Sequence, residues 1–212
     1  MKHIDPIVFL DTLSKLFPDA RCELDHADAY QMAVAVILSA QTTDASVNRV
    51  TPSLFEKYPQ VNDLAQADSK DVEACIASLG LYRNKARSII GFAKGVVEKY
   101  DGVIPDHMDG LTSLPGVGRK CANVILSECF QIPSLAVDTH VSRIAKRLYL
   151  AFEKDSVDTI ERKLKQKFPK ERWIASHHQM IFFGRYLCHA RNPECTRCPF
   201  TQYCRYYKAQ NR

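Results

Sequence analysis

Four of the chain's eight cysteines crowd into its last 25 residues. Cys188, Cys195, Cys198 and Cys204 follow the spacing C-x6-C-x2-C-x5-C, and four thiolates within 17 residues can wrap one compact metal centre. Structural zinc is the competing occupant, but zinc loops are usually built from two C-x2-C knuckles, and only Cys195 and Cys198 form one here. His189 is nearby and unnecessary as a ligand. The scattered cysteines, Cys22, Cys75, Cys121 and Cys129, fall mostly inside apolar patterns and are expected to be buried, reduced thiols.

A second chemical constellation begins at Leu114-Pro115-Gly116-Val117-Gly118-Arg119-Lys120. Two glycines in a tight turn ahead of a helix leave the first-turn N–H groups uncovered, which suits a phosphate. Lys120 falls inside that first turn, where the helix dipole disfavours a cation and Arg119 adds like-charge repulsion. Both effects favour an amine over an ammonium, the condition a lysine nucleophile requires. A solvated surface lysine is the plainer alternative. Asp138 follows 18 residues later, in Leu135-Ala136-Val137-Asp138-Thr139-His140. It reads either as a helix N-cap or as an acid facing the same cleft as the lysine. Val141 rules out a capping box.

The elements that must position these residues are helical. Asp5-Pro6 is a helix start, followed by a stripe of Ile7, Leu10, Leu13 and Phe17. Tyr30–Ala40 is apolar nearly all round and reads as a buried central helix. Val47, Val50 and Leu54 keep helical spacing, with Pro52 marking a kink or break. Val72, Ile76 and Leu79 form a further stripe that Gly80 stops. The pattern Ala86, Ile89, Ile90, Ala93, Val96, Val97, Tyr100 is the cleanest amphipathic run, and stretches near 119–130, 138–150, 156–168 and 172–187 read similarly. No sustained period-two alternation occurs, and Asp101-Gly102 reads as a loop. The fold class is all-α, with roughly ten helices.

Composition is ordinary for a globular chain, with 46% hydrophobic and 25% charged residues among 212. That excludes a coiled coil, a collagen-like rod and a disordered tail. The longest apolar run, Met32–Leu38, is too short to cross a bilayer. The N-terminal stretch MKHIDPIVFLDTL carries acids and lacks a small-residue cleavage site, so a cytoplasmic protein without disulfides is expected. The net charge of +5 is uneven. Residues 1–110 carry 11 Lys and Arg against 16 Asp and Glu, and residues 111–212 carry 18 against 8. The basic half suits a polyanion such as a phosphate backbone.

LPGVGRK followed by VDTHVSR resembles the helix-hairpin-helix signature of the endonuclease III family of DNA glycosylases. The likeness extends through Leu38-Ser39-Ala40-Gln41-Thr42-Thr43-Asp44, through Gly80-Leu81-Tyr82-Arg83-Asn84-Lys85-Ala86 and through the cysteine loop, so it covers essentially the whole chain. It implies a two-lobed fold with the DNA cleft between the lobes. One lobe, residues 22–132, would be a six-helix bundle containing the hairpin. The other, residues 1–21 with 133–212, would hold a [4Fe–4S] cluster on Cys188, Cys195, Cys198 and Cys204.

The same resemblance implies a monomeric bifunctional glycosylase and abasic-site lyase acting on oxidised pyrimidines in duplex DNA. The target nucleotide is flipped out of the stack. Lys120 attacks C1′ and displaces the base, and the resulting imine acidifies C2′, so that the 3′ phosphate is expelled. Asp138 would stabilise cationic character at the sugar or take the lysine proton. Gln41 and Leu81 would enter the duplex behind the flipped nucleotide, although residue type alone makes Leu81 a core leucine and Gln41 a helix-end amide. Leu114, Gly116, Val117 and Gly118 would hold a phosphate, and Arg191, with Arg197 and Arg205 on the same loop, would meet others. The basic run Arg162, Lys163, Lys165, Lys167 is expected to be a solvated face. Two alternatives are weighed. A relative that removes adenine opposite oxidised guanine has an acid where this chain has Val36 and usually lacks the lysine. A non-catalytic DNA-binding module with a zinc loop would not cut the strand.

Overall fold

The computed structural model describes residues 4–211, and these form helices joined by turns with no strand among them. They fall into two compact units, residues 23–132 and residues 4–22 together with 133–211.

The unit spanning 23–132 is organised around α2 (Ala29–Leu38), in which eight of ten residues are buried. Asp28 caps it by accepting from Gln31 N–H at 2.8 Å. Against α2 pack α3 (Asp44–Lys57), α6 (Tyr82–Tyr100) and α8 (Arg119–Phe130). Shorter helices complete the unit: α4 (Val61–Ala65) and α5 (Ser69–Cys75) pack on α6, and α7 (Met108–Thr112) packs on α8. That makes seven helices among the described residues of this unit, of which α4 and α7 are only five residues long. Pro52 neither breaks nor ends α3. Its neighbours Val50, Thr51 and Leu54 are buried, and that tertiary packing outweighs the one intrahelical bond a proline removes.

In the other unit, α1 (Pro6–Leu16) starts as its sequence dictates, with Asp5 Oδ1 accepting from Ile7 and Val8 N–H at 2.8 and 3.1 Å. Its buried face is Phe9, Leu10 and Leu13, whereas Ile7 is exposed. The stripe is thus rotated from the expected one, because Phe9 packs against Phe200 with ring centroids 5.1 Å apart. Next come α9 (Thr139–Arg147), α10 (Val157–Lys167), α11 (Trp173–Tyr186) and α12 (Arg205–Gln210). α11 packs against both α1 and α9. The core joins Phe9, Leu13, Val141, Ile144, Ile160, Leu164, Met180 and Phe183 to Phe200 on the cysteine loop. α10 is less solvated than its composition suggests. Lys163 pairs with the largely buried Asp155 at 2.6 Å, and Lys165 with Glu161 at 2.7 Å. The scattered cysteines Cys22, Cys75, Cys121 and Cys129 are outside any disulfide and half-buried, not fully buried.

Candidate active site and metal centre

The hairpin joins α7 to α8 through Leu114-Pro115-Gly116-Val117-Gly118. Leu114 and Val117 are buried, and the Val117 amide donates to Leu114 O at 3.2 Å to close the turn. Gly116 has φ +78°, and a Cβ there would stand 3.1 Å from Ser88 Cβ and 3.3 Å from Ile37 Cγ2. Both the left-handed backbone and the close approach require glycine. Gly118 is the N-cap of α8, with no side-chain cap and no acid in the first turn. A Cβ on Gly118 would meet nothing within 4 Å, so the space over the helix N-terminus is open. Lys120 is exposed in that first turn, and the protein itself does not desolvate it. Gly91 and Gly95 of α6 seat the hairpin: a Cβ on Gly95 would lie 2.9 Å from Leu114 Cδ2, and one on Gly91 3.2 Å from Pro115 Cβ. Their spacing of four residues inside an otherwise good helix pattern was the available sequence signal.

Gln41 and Leu81 belong to the same unit as the hairpin. Gln41 follows α2, and Leu81 is the N-cap of α6. Their φ values are 54° and 59°, left-handed conformations that are rare for a glutamine and rarer for a leucine. Leu81 is 60% exposed, so it does not play the core role that residue type alone assigns, and Gln41 is exposed in the turn that ends α2. Gly116 approaches Ile37 near the end of α2 and Ser88 in the early turns of α6, which draws the hairpin toward the segments carrying Gln41 and Leu81.

Asp138 lies in the other unit, half-buried, at the N-terminus of α9. Its Oδ1 accepts from Val141 N–H at 2.8 Å, so it is a helix cap, and its second carboxylate oxygen is not part of that cap. His140 beside it is held below the usual imidazole value chiefly by burial, against the opposing pull of the Asp138 charge. The ring is wedged at Gly184, where any Cβ would come within 2.7 Å of His140 Cβ. Arg143 Nη2 lies 3.1 Å from His140 Nδ1, which makes that nitrogen an acceptor. The same guanidinium donates to Gly184 O at 2.9 Å and, through Nε and Nη2, to Cys188 O at 3.1 and 2.9 Å.

The four late cysteines line one small pocket, together with Arg147, Leu187, Pro193, Tyr206 and Tyr207 among others. Cys188 and Cys204 are buried, Cys195 and Cys198 half-buried. No three His, Cys, Asp or Glu side chains among the described residues converge on a single-ion position. Two N–H donors point at sulfur: Arg147 Nη1 to Cys188 Sγ at 3.2 Å and Phe200 N to Cys198 Sγ at 3.4 Å. Burial pushes the Cys198 thiol up to about 11, opposed by the Phe200 amide, and raises Cys195 as well. Thiols in such a pocket become thiolates when iron supplies the compensating charge. The donor set therefore fits an iron–sulfur cluster.

Arg147 is buried and further donates to His189 O at 2.9 Å and Ala190 O at 3.1 Å, with its guanidinium 4.0 Å from the Tyr206 ring centroid. It holds the loop between the first two cysteines to α9. Arg143 and Arg147 were legible only as two arginines four apart on an amphipathic helix. Of the loop's own arginines, Arg197 pairs with Glu194 at 2.5 Å and Arg205 with Glu153 at 2.8 Å. Arg191 is exposed and has no acid partner among the described residues.

Residues 34–170 match the family model of the HhH-GPD superfamily of base excision DNA repair proteins, and residues 188–204 match the iron–sulfur binding domain of endonuclease III. Fold, hairpin and cysteine loop thus define a helix-hairpin-helix DNA repair glycosylase that carries a cluster. Endonuclease III of Bacillus subtilis (strain 168) is 49% identical over 206 residues, 97% of this chain and 94% of its own. A solved structure of a trapped endonuclease III–DNA covalent intermediate, an estranged-adenine complex, superposes with a TM-score of 0.95 at 47% identity and covers all of both chains. A non-covalent endonuclease III–DNA complex gives 0.93 at 48% identity, over 97% of this chain and 96% of that one. The chain belongs to the endonuclease III family: it is a DNA glycosylase and abasic-site lyase with a [4Fe–4S] cluster.

Proposed function

We propose that the enzyme removes oxidised pyrimidines from duplex DNA with Lys120 as nucleophile, and cuts the strand 3′ to the resulting abasic site. The observation that carries this reading is Lys120 itself, exposed in the first turn of α8 directly behind an N-terminus that no side chain caps. A relative of nearly identical fold has been captured as a covalent intermediate with DNA, and a lysine amine forms such a bond with a sugar aldehyde carbon.

In the proposed reaction, the hairpin amides of Gly116 and Gly118 receive a phosphate, with Leu114 and Val117 fixing the turn from beneath. Among the described residues neither glycine amide donates elsewhere. Gln41 and Leu81 fill the gap left by the extruded nucleotide, the amide bonding the orphaned base and the leucine replacing lost stacking. Bound DNA, in place of protein burial, desolvates Lys120. Its Nζ lone pair bonds to C1′ as the C1′–N bond breaks, and the base departs with a proton. One nitrogen proton is lost, and the nitrogen lone pair then opens the sugar ring by breaking C1′–O4′, O4′ taking up a proton, to give a protonated imine; abstraction of a C2′ proton then expels the 3′ phosphate and nicks the strand. Asp138, with one oxygen outside its capping bond, stabilises positive charge at the sugar or takes the lysine proton.

Cys188, Cys195, Cys198 and Cys204 hold the [4Fe–4S] cluster, which when bound cross-links the loop and fixes the shape in which Arg191 is presented. Arg191 contacts a backbone phosphate. Val36 is buried in α2, and the absence of an acid there supports pyrimidine over adenine removal. We assign the working form as a monomer in the cytoplasm; no helix of the described residues is long and apolar enough to cross a membrane. Borohydride reduction on a duplex containing thymine glycol tests the reading. A covalent adduct with the wild type and none with Lys120→Ala supports it; an undiminished adduct with Lys120→Ala overturns it.

A further inference from the structure

Lys85 carries its side chain into the interior of the unit formed by residues 23–132, with only 5% of its surface exposed. Desolvation lowers its pKa, and no carboxylate offsets that effect. A buried amine without an acid partner is unfavourable unless its hydrogen bonds accomplish something. Its Nζ donates to Thr42 Oγ1, and the Thr42 hydroxyl donates in turn to Ala40 O at 3.3 Å. Ala40 and Thr42 are the two neighbours of Gln41, so this chain of bonds closes around the residue at φ 54°. At its other end, the Lys85 amide donates to Leu81 O at 3.0 Å, one turn behind the leucine at φ 59°. One residue therefore touches both turns, its side chain bonded to Thr42 beside Gln41 and its backbone amide bonded to Leu81.

Left-handed non-glycine residues persist only where their surroundings over-determine them, and they concentrate at working sites. Lys85 and Thr42 supply that determination. A lysine serving only to fill space would be better replaced by methionine, which packs the same stem and leaves no charge in the interior. We infer that Lys85 is a positioning residue for entry into the duplex: its bridge through Thr42 holds Gln41 and Leu81 in the conformations from which both side chains enter together. The inference rests on the reading of Gln41 and Leu81 as the residues that fill the helix.

The test compares two substrates, because an abasic site in a single strand has no stack to replace and no orphaned base to bond. Base release from a thymine glycol duplex is measured under single turnover, and nicking of a single-stranded abasic oligonucleotide is measured beside it. Lys85→Met and Thr42→Val are expected to slow duplex excision by about tenfold or more while leaving single-strand nicking within about twofold of wild type. Thr42→Ser, which keeps the hydroxyl, is expected to match wild type on both. Duplex excision at the wild-type rate in Lys85→Met overturns the inference, and so does an equal fall on both substrates, which marks a general structural role. Gln41→Ala and Leu81→Ala run on the same duplex separate the two levels. Slow excision in these with a wild-type rate in Lys85→Met sinks the inference alone; wild-type rates in all of them sink the underlying reading.

Discussion

The amide of Val141 donates to Oδ1 of Asp138 at 2.8 Å, so the acid proposed to assist the chemistry is also the N-cap of α9. Asparagine caps a helix about as well as aspartate, whereas alanine loses about 1 kcal/mol. Asp138→Asn should therefore unfold within about 0.5 kcal/mol of wild type and still bind abasic DNA, yet turn over about a hundredfold or more slowly. Asp138→Ala should show both losses. Denaturant titration and single-turnover kinetics on the two variants check this, and a fully active Asp138→Asn would leave the residue as a cap alone.

The two hairpin glycines should respond oppositely to an added methyl group. Gly116→Ala forces a left-handed alanine against Ser88 and Ile37 and should lower stability by about 1–2 kcal/mol. Gly118→Ala adds a Cβ into open space on an ordinary backbone, with φ −85°. It should fold normally while weakening duplex binding by about tenfold, or 1.4 kcal/mol, because the methyl stands where a phosphate approaches. Thermal melts and DNA titrations distinguish the pair. Normal DNA affinity in Gly118→Ala would take the phosphate off the α8 N-terminus.

Arg147 joins α9 to the cluster loop through two carbonyls and one sulfur. Truncating it to alanine leaves those acceptors buried without their donor, which should cost about 2–3 kcal/mol. Purified Arg147→Ala should also retain less iron per chain than wild type, since the Cys188 thiolate loses its donor. Iron analysis and denaturant unfolding read these separately. Full iron content with wild-type stability would show that the bonds are incidental.

Arg191 and Arg197 lie on the same loop, but of the two only Arg197 has an acid partner among the described residues. Neutralising Arg191 should reduce the slope of log affinity against log salt by about 0.9, one phosphate contact. Arg197→Ala should leave that slope nearly unchanged. Binding isotherms over a range of salt concentrations decide it, and an unaltered slope for Arg191→Ala would place that side chain off the DNA.

The all-helical fold was legible because its longer helices carry their own start signals, such as Asp5-Pro6, and their own apolar periodicity, as along α6. The failures are local and tertiary. Pro52 reads as a break until Val50, Thr51 and Leu54 are seen to be buried around it. The α1 stripe is rotated because Phe9 answers to Phe200, nearly two hundred residues away. Gly116 and Lys120 stood out by type and spacing, since a glycine turn and a cation at a helix start are both locally unusual. Lys85, Arg143 and Arg147 did not, because each matters through hydrogen-bonded partners that are remote in sequence. The left-handed backbone at Gln41 and Leu81 has no sequence signature in side chains that ordinarily avoid it.

The central claim is that one particular amine forms the bond to DNA. Proteolysis of the borohydride-trapped complex, followed by mass spectrometry of the DNA-bearing peptide, tests it most directly. The account predicts that the modified residue is Lys120, in the peptide following Gly118. Modification at the N-terminal amine or at any other lysine, with Lys120 unmodified, would contradict it.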